Sequence, residues 1–244
     1  MLLVSYTNPK DSYSYNGEDV TRPVTRVDLR AKGQTGVTHQ NGKDIIFTLR
    51  SDASIPLVRD WQLGLRADAP VELYYSPGHN ANHMADSLFQ AFFITPTYDK
   101  WTFGVGAKAI FPTGGKNLSI GQGKYQILPS VAFKYDLSEL SAGTYVGSIV
   151  RHAWSVAGYG SAPFISQTYI QPFFNFNLPS DWFLNSSPEM IYNWITGDWF
   201  VPFDLMIGKM VTKKIVLSLE YETALVYDYP KYRTQLEFRI GVFF

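Results

Sequence analysis

The chain has 244 residues and a formal net charge of zero, because 21 basic residues are matched by 21 acidic ones. Nucleic acids and acidic membrane surfaces are bound through an excess of positive charge, so this composition argues against both as partners. The absence of cysteine excludes disulfides, thiolate metal sites and a cysteine nucleophile.

The aromatic residues Phe, Tyr and Trp make up 16% of the chain, yet its mean hydropathy is only -0.10. Transmembrane β-barrels combine these two properties, because lipid-facing and lumen-facing residues alternate along each strand. No apolar run approaches the roughly 18 residues that a membrane-spanning helix needs, which excludes a helical membrane protein. The first residues lack the basic and apolar regions of a signal peptide, so we expect a mature chain whose export signal has been removed.

Residues 1–20 are polar and show no sustained alternation. We therefore predict an N-terminal extension over 1–20, in the periplasm or in a barrel lumen, and a single β-barrel domain over 21–244. From Val24 onward a two-residue period recurs in about twelve segments, most of them longer than the roughly 9 to 11 residues with which a tilted strand crosses a bilayer. The predicted strands span 24–38, 44–57, 61–76, 84–98, 100–114, 123–137, 141–158, 164–179, 181–195, 198–212, 214–229 and 232–244. The pattern predicts an all-β fold: a transmembrane antiparallel up-and-down β-barrel of about 12 strands.

The connections between these strands alternate in character. Short ones are centred on Arg59, Asp99, Ser138, Ser180 and Lys213, and three of them lead into a tryptophan, at Trp61, Trp101 and Trp182. The intervening set includes longer segments rich in Gly or Asn at Asn41, Gly78, Gly115 and Gly160, with shorter members at Gly197 and at 228–231. Outer-membrane barrels have short periplasmic turns, longer extracellular loops and aromatic girdles. An even number of strands then places both termini in the periplasm.

The two faces of the predicted strands differ in polarity. The face predicted to contact lipid includes Val27, Leu29, Phe47, Leu49, Leu63, Leu65, Phe103, Val105, Ile127, Val131, Leu184, Met190, Val201, Phe203, Leu205, Leu217 and Leu219. The other face is charged, and we predict that the pathway through the lumen is lined by Arg26, Asp28, Arg30, Arg50, Asp52, Arg66, Asp68, Glu72, Arg151, Glu220, Glu222, Arg233, Glu237 and Arg239. Lys108, Lys134, Glu189 and Asp204 belong to the same face. Such charges are costly in lipid, so they line either a selective pathway or a salt-bridged plug, and twelve strands permit both.

The last segment, YRTQLEFRIGVFF at 232–244, alternates throughout and stops on an aromatic residue, as many outer-membrane barrels do. We expect it to close the barrel against 24–38, so that Arg233, Glu237 and Arg239 meet Arg26, Asp28 and Arg30 across the seam. Phe244 then lies at the periplasmic rim, where the barrel-assembly machinery is the expected partner of this strand. Outer-membrane lipid, lipopolysaccharide and a small-molecule solute are the other expected partners.

Five segments carry a family resemblance. They are DSLFQAFFITPTYDKWTFGVGAKAIFPTG at 86–114, IGQGKYQILPSVAFKY at 120–135, AWSVAG at 153–158, QTYIQPFFNFNLPSDWFLNSSPEMIYNW at 167–194 and WFVPFDLMIGKM at 199–210. In order and spacing they resemble the outer-membrane barrel family labelled MetA-pathway of phenol degradation, whose members are described as transporters. The resemblance implies a passive channel or transporter for small molecules, aromatic or hydrophobic ones among them, in a Gram-negative bacterium. It supplies no catalytic residues.

Three other sites are weighed against simpler interpretations. A lipid-facing hydrolase of the phospholipase type requires a Ser beside a polar-bound His, and His152 near Ser148 or Ser155 is the strand-borne candidate. His79 and His83 near Asp86 have a spacing that can hold a metal, although exposed loop histidines explain it better. The glycines at 114, 115, 121 and 123 lack the Lys-Ser/Thr of a phosphate-binding loop, so we expect a loop there and no cofactor.

Prolines within strands and alternative β folds both bear on the predicted barrel. Pro129, Pro172, Pro188 and Pro202 lie inside predicted strands, where the missing N–H predicts bulges or kinks. A closed structural barrel, or a soluble β-sandwich or lipocalin-like binder, also has alternating strands.

Overall fold

The computed structural model describes residues 16–37, 42–114, 120–229 and 231–244. The strands are β1 (Arg26–Val37), β2 (Gly42–Pro56), β3 (Gln62–Ser76), β4 (His79–Met84), β5 (Ser87–Ile94), β6 (Trp101–Phe111), β7 (Lys124–Asp136), β8 (Tyr145–Gly158), β9 (Ser166–Asn177), β10 (Trp182–Ser186), β11 (Met190–Asn193), β12 (Trp199–Thr212), β13 (Ile215–Tyr227) and β14 (Thr234–Phe243). A 3₁₀ turn at Val58–Asp60 joins β2 to β3. In this part of the chain no helix is long and apolar enough to cross a membrane.

All ladders are antiparallel, and the sheet closes on itself because β14 pairs with both β13 and β1. Strands β4 and β5 both pair with β3, and β10 and β11 both lie between β9 and β12. Each of these two pairs therefore forms one broken wall strand, and the fourteen segments make twelve wall strands. The predicted twelve-stranded up-and-down barrel is confirmed.

The two broken wall strands correct the predicted boundaries. The segment at 76–86, predicted as a loop, is a hairpin in which His79–Met84 continues the ladder to β3 as far as Ser76. The wall strand predicted at 181–195 is interrupted between Ser186 and Met190, around Pro188, because proline cannot donate a ladder hydrogen bond. Pro202 lies at a register shift in the ladder to β13, as predicted. Pro129 and Pro172, in contrast, pair with β6 and β8 without a shift.

The closing seam has the predicted partners. The register of β1 on β14 pairs Arg26 with Phe243, Leu29 with Ile240 and Lys32 with Glu237. Inner and outer residues alternate regularly along β14, so Glu237 and Arg239 are buried while Leu236, Phe238 and Ile240 are exposed. Phe244 is exposed just beyond the end of this strand, and its N–H donates to the Thr25 carbonyl oxygen.

The alternation does not extend back to Arg233, and the prediction that this residue lines the lumen is wrong. Arg233 is exposed, and its guanidinium lies 5.0 Å from the centre of the Tyr227 ring. Tyr232, which the alternation places on the same face as Leu236 and Phe238, is instead 2% exposed and donates its hydroxyl hydrogen to Glu222. The strand period fails here because β14 begins only at Thr234, so the two preceding side chains are placed by the turn.

The outer surface is an apolar belt. Leu63, Leu65, Leu184, Met190, Val201 and Leu217 are half-buried on it, whereas the more exposed members include Val27, Leu29, Phe47, Leu49, Phe103, Val105, Ile127, Val131, Phe203, Leu205 and Leu219. Exposed tryptophans lie at both ends of the barrel: Trp61, Trp101 and Trp182 at one end, and Trp154, Trp194 and Trp199 at the other. A closed barrel with a continuous apolar exterior satisfies its backbone internally and presents its side chains to lipid. These features define a membrane barrel.

The belt gives a direct test on one strand. Leu49 is 52% exposed on the outer face of β2, and its neighbour Thr48 points inward. We expect Leu49→Arg to lower the free energy of unfolding in bilayers by about 2–4 kcal/mol, because it places a charge in lipid. Thr48→Arg, with its charge in the polar lumen, is the matched control and should cost far less. Equal losses in guanidinium titrations of the two variants would contradict the assignment of the faces.

Candidate functional site

Ion pairs cover the inner faces of β1, β2 and β3, next to the closing seam. Asp52 accepts hydrogen bonds from Arg26 Nε at 2.8 Å and from Arg66 Nε at 2.7 Å. On the same wall Arg50 binds Asp68 with both Nε and Nη2, at 2.8 and 2.6 Å. Such bidentate pairs fix the geometry of both side chains as well as their charge. The inner faces of β1, β2 and β3 are therefore locked to one another by side chains as well as by backbone hydrogen bonds.

A second group of pairs joins β1 to β14. Asp28 is fully buried, and its Oδ2 lies 3.2 Å from Arg30 Nη2 and 3.1 Å from Arg239 Nε. Glu237 pairs with Arg30 at 2.8 Å and with Lys32 at 3.2 Å. The pairs of Asp28 with Arg239 and of Glu237 with Arg30 and Lys32 join the first and last strands, so they form only when the barrel is closed.

The chain before β1 enters the lumen. We call the barrel end at which β1 begins and β14 ends the terminal end, and the opposite end the loop end; residues 16–24 form the N-terminal segment. Asn16 donates to Asn175 Oδ1 at 2.7 Å, and its carbonyl oxygen accepts from Arg239 at 3.3 Å. Asp19 pairs with Lys134 at 2.7 Å. The N-terminal segment is thus fastened to β7, β9 and β14.

Apolar and charged contacts complete this attachment. Val20 packs against the cluster of Phe92, Ile94, Ala132 and Ile149 on the inner wall. Glu18 lies against Arg239 and is 4.0 Å from Arg26. The N-terminal segment therefore narrows the lumen at the terminal end.

Between the N-terminal segment and the loop end lies a central cavity of about 230 Å³. Seven basic and six acidic side chains line it: Arg30, Lys32, Arg50, Arg66, Lys108, Arg151 and Lys231, with Glu18, Asp68, Glu189, Glu220, Glu222 and Glu237. Glu189 pairs with Lys231 at 2.9 Å and with Arg151 at 3.6 Å, which closes the cavity on one side. Its interior is therefore polar and nearly balanced in charge.

One group of acids, of which Glu220 and Glu222 line the cavity, has no such pairing. The carboxylates of Asp204, Glu220 and Glu222 lie within 4.8 Å of one another on β12 and β13. Glu222 accepts hydrogen bonds from Tyr232 and from Gln235, and Asp204 accepts one from the Ser187 N–H. None of the three has a basic group within 4.0 Å in the described part of the chain. Carboxylates this close require a proton or a cation between them.

The central cavity is one of a series along the barrel axis. Toward the loop end it shares Lys108, Glu189 and Lys231 with a cavity of about 190 Å³. That cavity in turn shares Gln122 and Tyr229 with one of about 420 Å³ among the loops. Beside the N-terminal segment the cavity is only about 30 Å³, and a further cavity of about 320 Å³ lies between Asn16 and the turns at the terminal end. The lumen is widest at the loop end and narrowest where the N-terminal segment crosses it.

Apart from Arg233, the structure places every predicted lumen residue on the inner face, buried or half-buried. Glu72 and Arg151 lie away from the seam network, near Asp44 and Glu189 respectively. Gln90, Asn175 and Gln235 are inner residues outside the predicted lining, and Asn16 and Glu18 belong to the N-terminal extension, for which the lumen is one of two predicted positions. The inward position of Gln90, Asn175 and Gln235 could be predicted from the sequence, because each lies on the charged face of its strand. For the N-terminal segment no periodic signal exists.

The histidine candidates differ from expectation. His152 lies on the outer face between Val150 and Trp154, as the sequence indicated. Its partners, however, are Thr168 at 2.8 Å and Ser166 at 3.5 Å on β9. The predicted partners Ser148 and Ser155 are wrong, because their hydroxyls contact the Gln171 carbonyl oxygen and the Ile165 N–H respectively.

The loop-end residues that were weighed as metal or phosphate ligands have other contacts where the structure describes them. His83 is exposed, with Nδ1 2.9 Å from the Met84 carbonyl oxygen, and the side chain of His79 lies outside the described residues. Asp86 accepts hydrogen bonds from the N–H groups of Gly114 and Gln122, at 3.1 and 2.6 Å. It therefore fastens the glycine-rich loop, of which Gly115 is not described.

Comparison with known proteins supports the fold. No family model and no curated protein matches the chain. Among solved structures, the COG4313 outer membrane channel from Pseudomonas putida F1 has a TM-score of 0.75 at 14% identity, covering 94% of this chain and 98% of that one. The NanC porin has a TM-score of 0.60 at 15% identity, covering 89% and 98%. Outer membrane phospholipase A from Escherichia coli has a TM-score of 0.54 at 12% identity, covering 96% of each chain. The fold and its apolar belt are those of bacterial outer-membrane barrels.

The ion-pair network yields a stability prediction. Asp52→Asn leaves Arg26 and Arg66 without their shared negative charge inside the barrel. Breaking a buried pair in this way costs about 3–5 kcal/mol, and we expect a loss of this size in bilayer unfolding titrations. Glu139→Gln, which removes an exposed partner of Lys100 in a turn, is the control and should change nothing measurable. Similar stability of the two variants would show that the seam charges are solvated rather than paired.

Proposed function

We propose that the chain is a passive outer-membrane channel for small molecules. The observation that supports this most directly is the series of cavities with shared lining residues, running from the loop end to the N-terminal segment inside a closed barrel. A barrel with a purely structural role does not require connected cavities in its lumen. The lumen-lining charges then act as the polar surface of the pathway.

Orientation follows from the topology. With short turns and both described chain ends at the terminal end, that end faces the periplasm and the loop end faces outward. Lipid and lipopolysaccharide contact the belt, and β14 is the strand that the assembly machinery recognises. Solute enters at the outer cavity, whose lining includes Phe164, Ile165 and Ile195. These apolar groups favour small aromatic or hydrophobic solutes, in keeping with the resemblance to phenol-degradation transporters.

The test is reconstitution into planar bilayers and liposomes. We expect discrete current steps and solute uptake, and Asp19→Asn should raise the average conductance because it releases the N-terminal segment from Lys134. Glu139→Gln, at an exposed turn, should leave the conductance unchanged. A protein that is folded but shows neither current nor uptake, with or without the Asp19 substitution, would identify a closed structural barrel instead.

A second candidate, a lipid-facing hydrolase, is favoured by one observation. Ser166, His152 and Thr168 form a Ser–His–Thr contact on the outer face, and Trp194 Nε1 donates to Thr168 at 2.8 Å. In such a site Ser166 attacks an acyl carbon while His152 accepts its proton and Thr168 orients the ring. The candidate predicts phospholipid or ester hydrolysis in detergent that Ser166→Ala and His152→Ala both abolish. Wild-type protein that is inactive on these substrates would eliminate it.

A further inference from the structure

The central cavity has opposite charges on opposite walls. Lys108 lies on β6 and Glu220 on β13, six wall strands apart in the barrel of twelve, and both line the cavity. Arg151 on β8 lies on the same side as Lys108, and Asp204 on β12 is within 4.8 Å of Glu220. The cavity therefore lies between a wall that bears Lys108 and Arg151, with Glu189 beside them, and a wall that bears Glu220.

On the basic wall two groups retain binding capacity. The side-chain ammonium of Lys108 has no hydrogen bond and no carboxylate within 4.0 Å among the residues that the structure describes, although Glu189 lines a cavity together with it. Arg151 is 4% exposed, donates from Nη1 to Gln171 at 2.9 Å, and has no partner for its buried Nε. Its pairing with Glu189 is long, at 3.6 Å, and Glu189 is shared with Lys231. Unpaired buried donors of this kind are costly unless an acceptor fills the space before them.

The acidic wall presents the complementary group. Asp204 is 2% exposed, and its Oδ2 has no hydrogen-bond partner in the described structure. Glu220 has no basic partner there, because both Arg30 and Lys32 bind Glu237. An ammonium group between Asp204 and Glu220 would satisfy both carboxylates at once.

From this arrangement we propose that the central cavity binds a small zwitterion, with its carboxylate at Lys108 and Arg151 and its ammonium at Glu220, the lining carboxylate next to Asp204. The inference rests on the proposed channel function and names its solute class. A simple anion or a simple cation fits less well, because each would leave the charges of one wall uncompensated. Val20, Leu88, Phe173 and Met206 also line the cavity, so an apolar side chain on the zwitterion has contacts as well.

The probes are leucine and the two molecules obtained by deleting one of its charged groups. In 4-methylpentanoate the ammonium is absent, and in 3-methylbutylamine the carboxylate is absent. We expect the detergent-solubilised barrel to bind leucine about tenfold or more tightly than either analogue, since each charged hydrogen-bonded contact is worth roughly one such factor. Isothermal titration or saturation-transfer NMR measures the three affinities under identical conditions.

Two substitutions assign the ends of the molecule. Lys108→Gln should weaken the binding of leucine and of 4-methylpentanoate about tenfold and leave that of 3-methylbutylamine unchanged. Glu220→Gln should weaken the binding of leucine and of 3-methylbutylamine about tenfold and leave that of 4-methylpentanoate unchanged. Lys209→Gln is the matched control, because Lys209 lies over the Trp182 ring outside the lumen. Heat-modifiable migration on gels verifies that each variant is folded.

The outcomes separate this inference from the channel proposal. Equal binding of all three probes, or an unchanged leucine affinity in both lumen variants, would overturn the zwitterion site even if the wild type conducts. Micromolar binding of calcium that Glu220→Gln abolishes and leucine does not displace would also overturn the zwitterion site. The acidic residues would then bind a metal ion and not an ammonium group. Absence of conductance and uptake concerns the channel proposal alone, because binding is measured separately.

Discussion

The structure depends on the pairing of charges inside a closed barrel. Asp28 has no contact with solvent, and it is stabilised by arginines from both edges of the seam, Arg30 on β1 and Arg239 on β14. An unpaired charge in such an interior costs several kcal/mol, whereas a hydrogen-bonded pair is tolerated. Closure of the sheet brings oppositely charged residues of β1 and β14 together, and their pairing offsets the cost of burying them. An open sheet would leave the backbone groups of both edge strands and the charges on both strands without partners.

The same pairing determines how the lumen is divided. At the terminal end Glu18 and Asp19 supply the negative charges that Arg239 and Lys134 need, so the N-terminal segment acts as part of the interior rather than as an appendage. Toward the loop end, the pairs thin out and cavities replace them. Salt-bridged plug and open cavity, which are alternatives when only strand number is considered, thus occupy different levels of one barrel.

Much of the fold follows from a two-residue period, because each strand has one face in lipid and one in the lumen. That period predicts the strand number, the closing pair and nearly all the inner charges. It fails where the backbone leaves the regular ladder: at Arg233 before β14, and at the breaks after Met84 and Ser186. It also cannot place Asn16, whose partner Asn175 is 159 residues away and is reached only through the folded barrel. The His152 partners lie on the next strand, so their identity required the β8–β9 register.

Some charged side chains in the lumen have a counter-ion within the protein and others do not. The first group stabilises the barrel, and the second group is available to bind a solute. The seam arginines have carboxylate partners at 2.6 to 3.4 Å, and such geometry leaves little for a solute to gain. In the described part of the chain, Lys108 and the carboxylates of Asp204 and Glu220 have no oppositely charged group within 4.0 Å, and they flank the cavity or line it. A buried charged group without a counter-ion lowers the stability of the empty barrel. It also raises the affinity for any solute that neutralises its charge. Solute selectivity is therefore to be sought in the unpaired minority of the lumen charges, whereas the paired majority accounts for the rigidity of the wall.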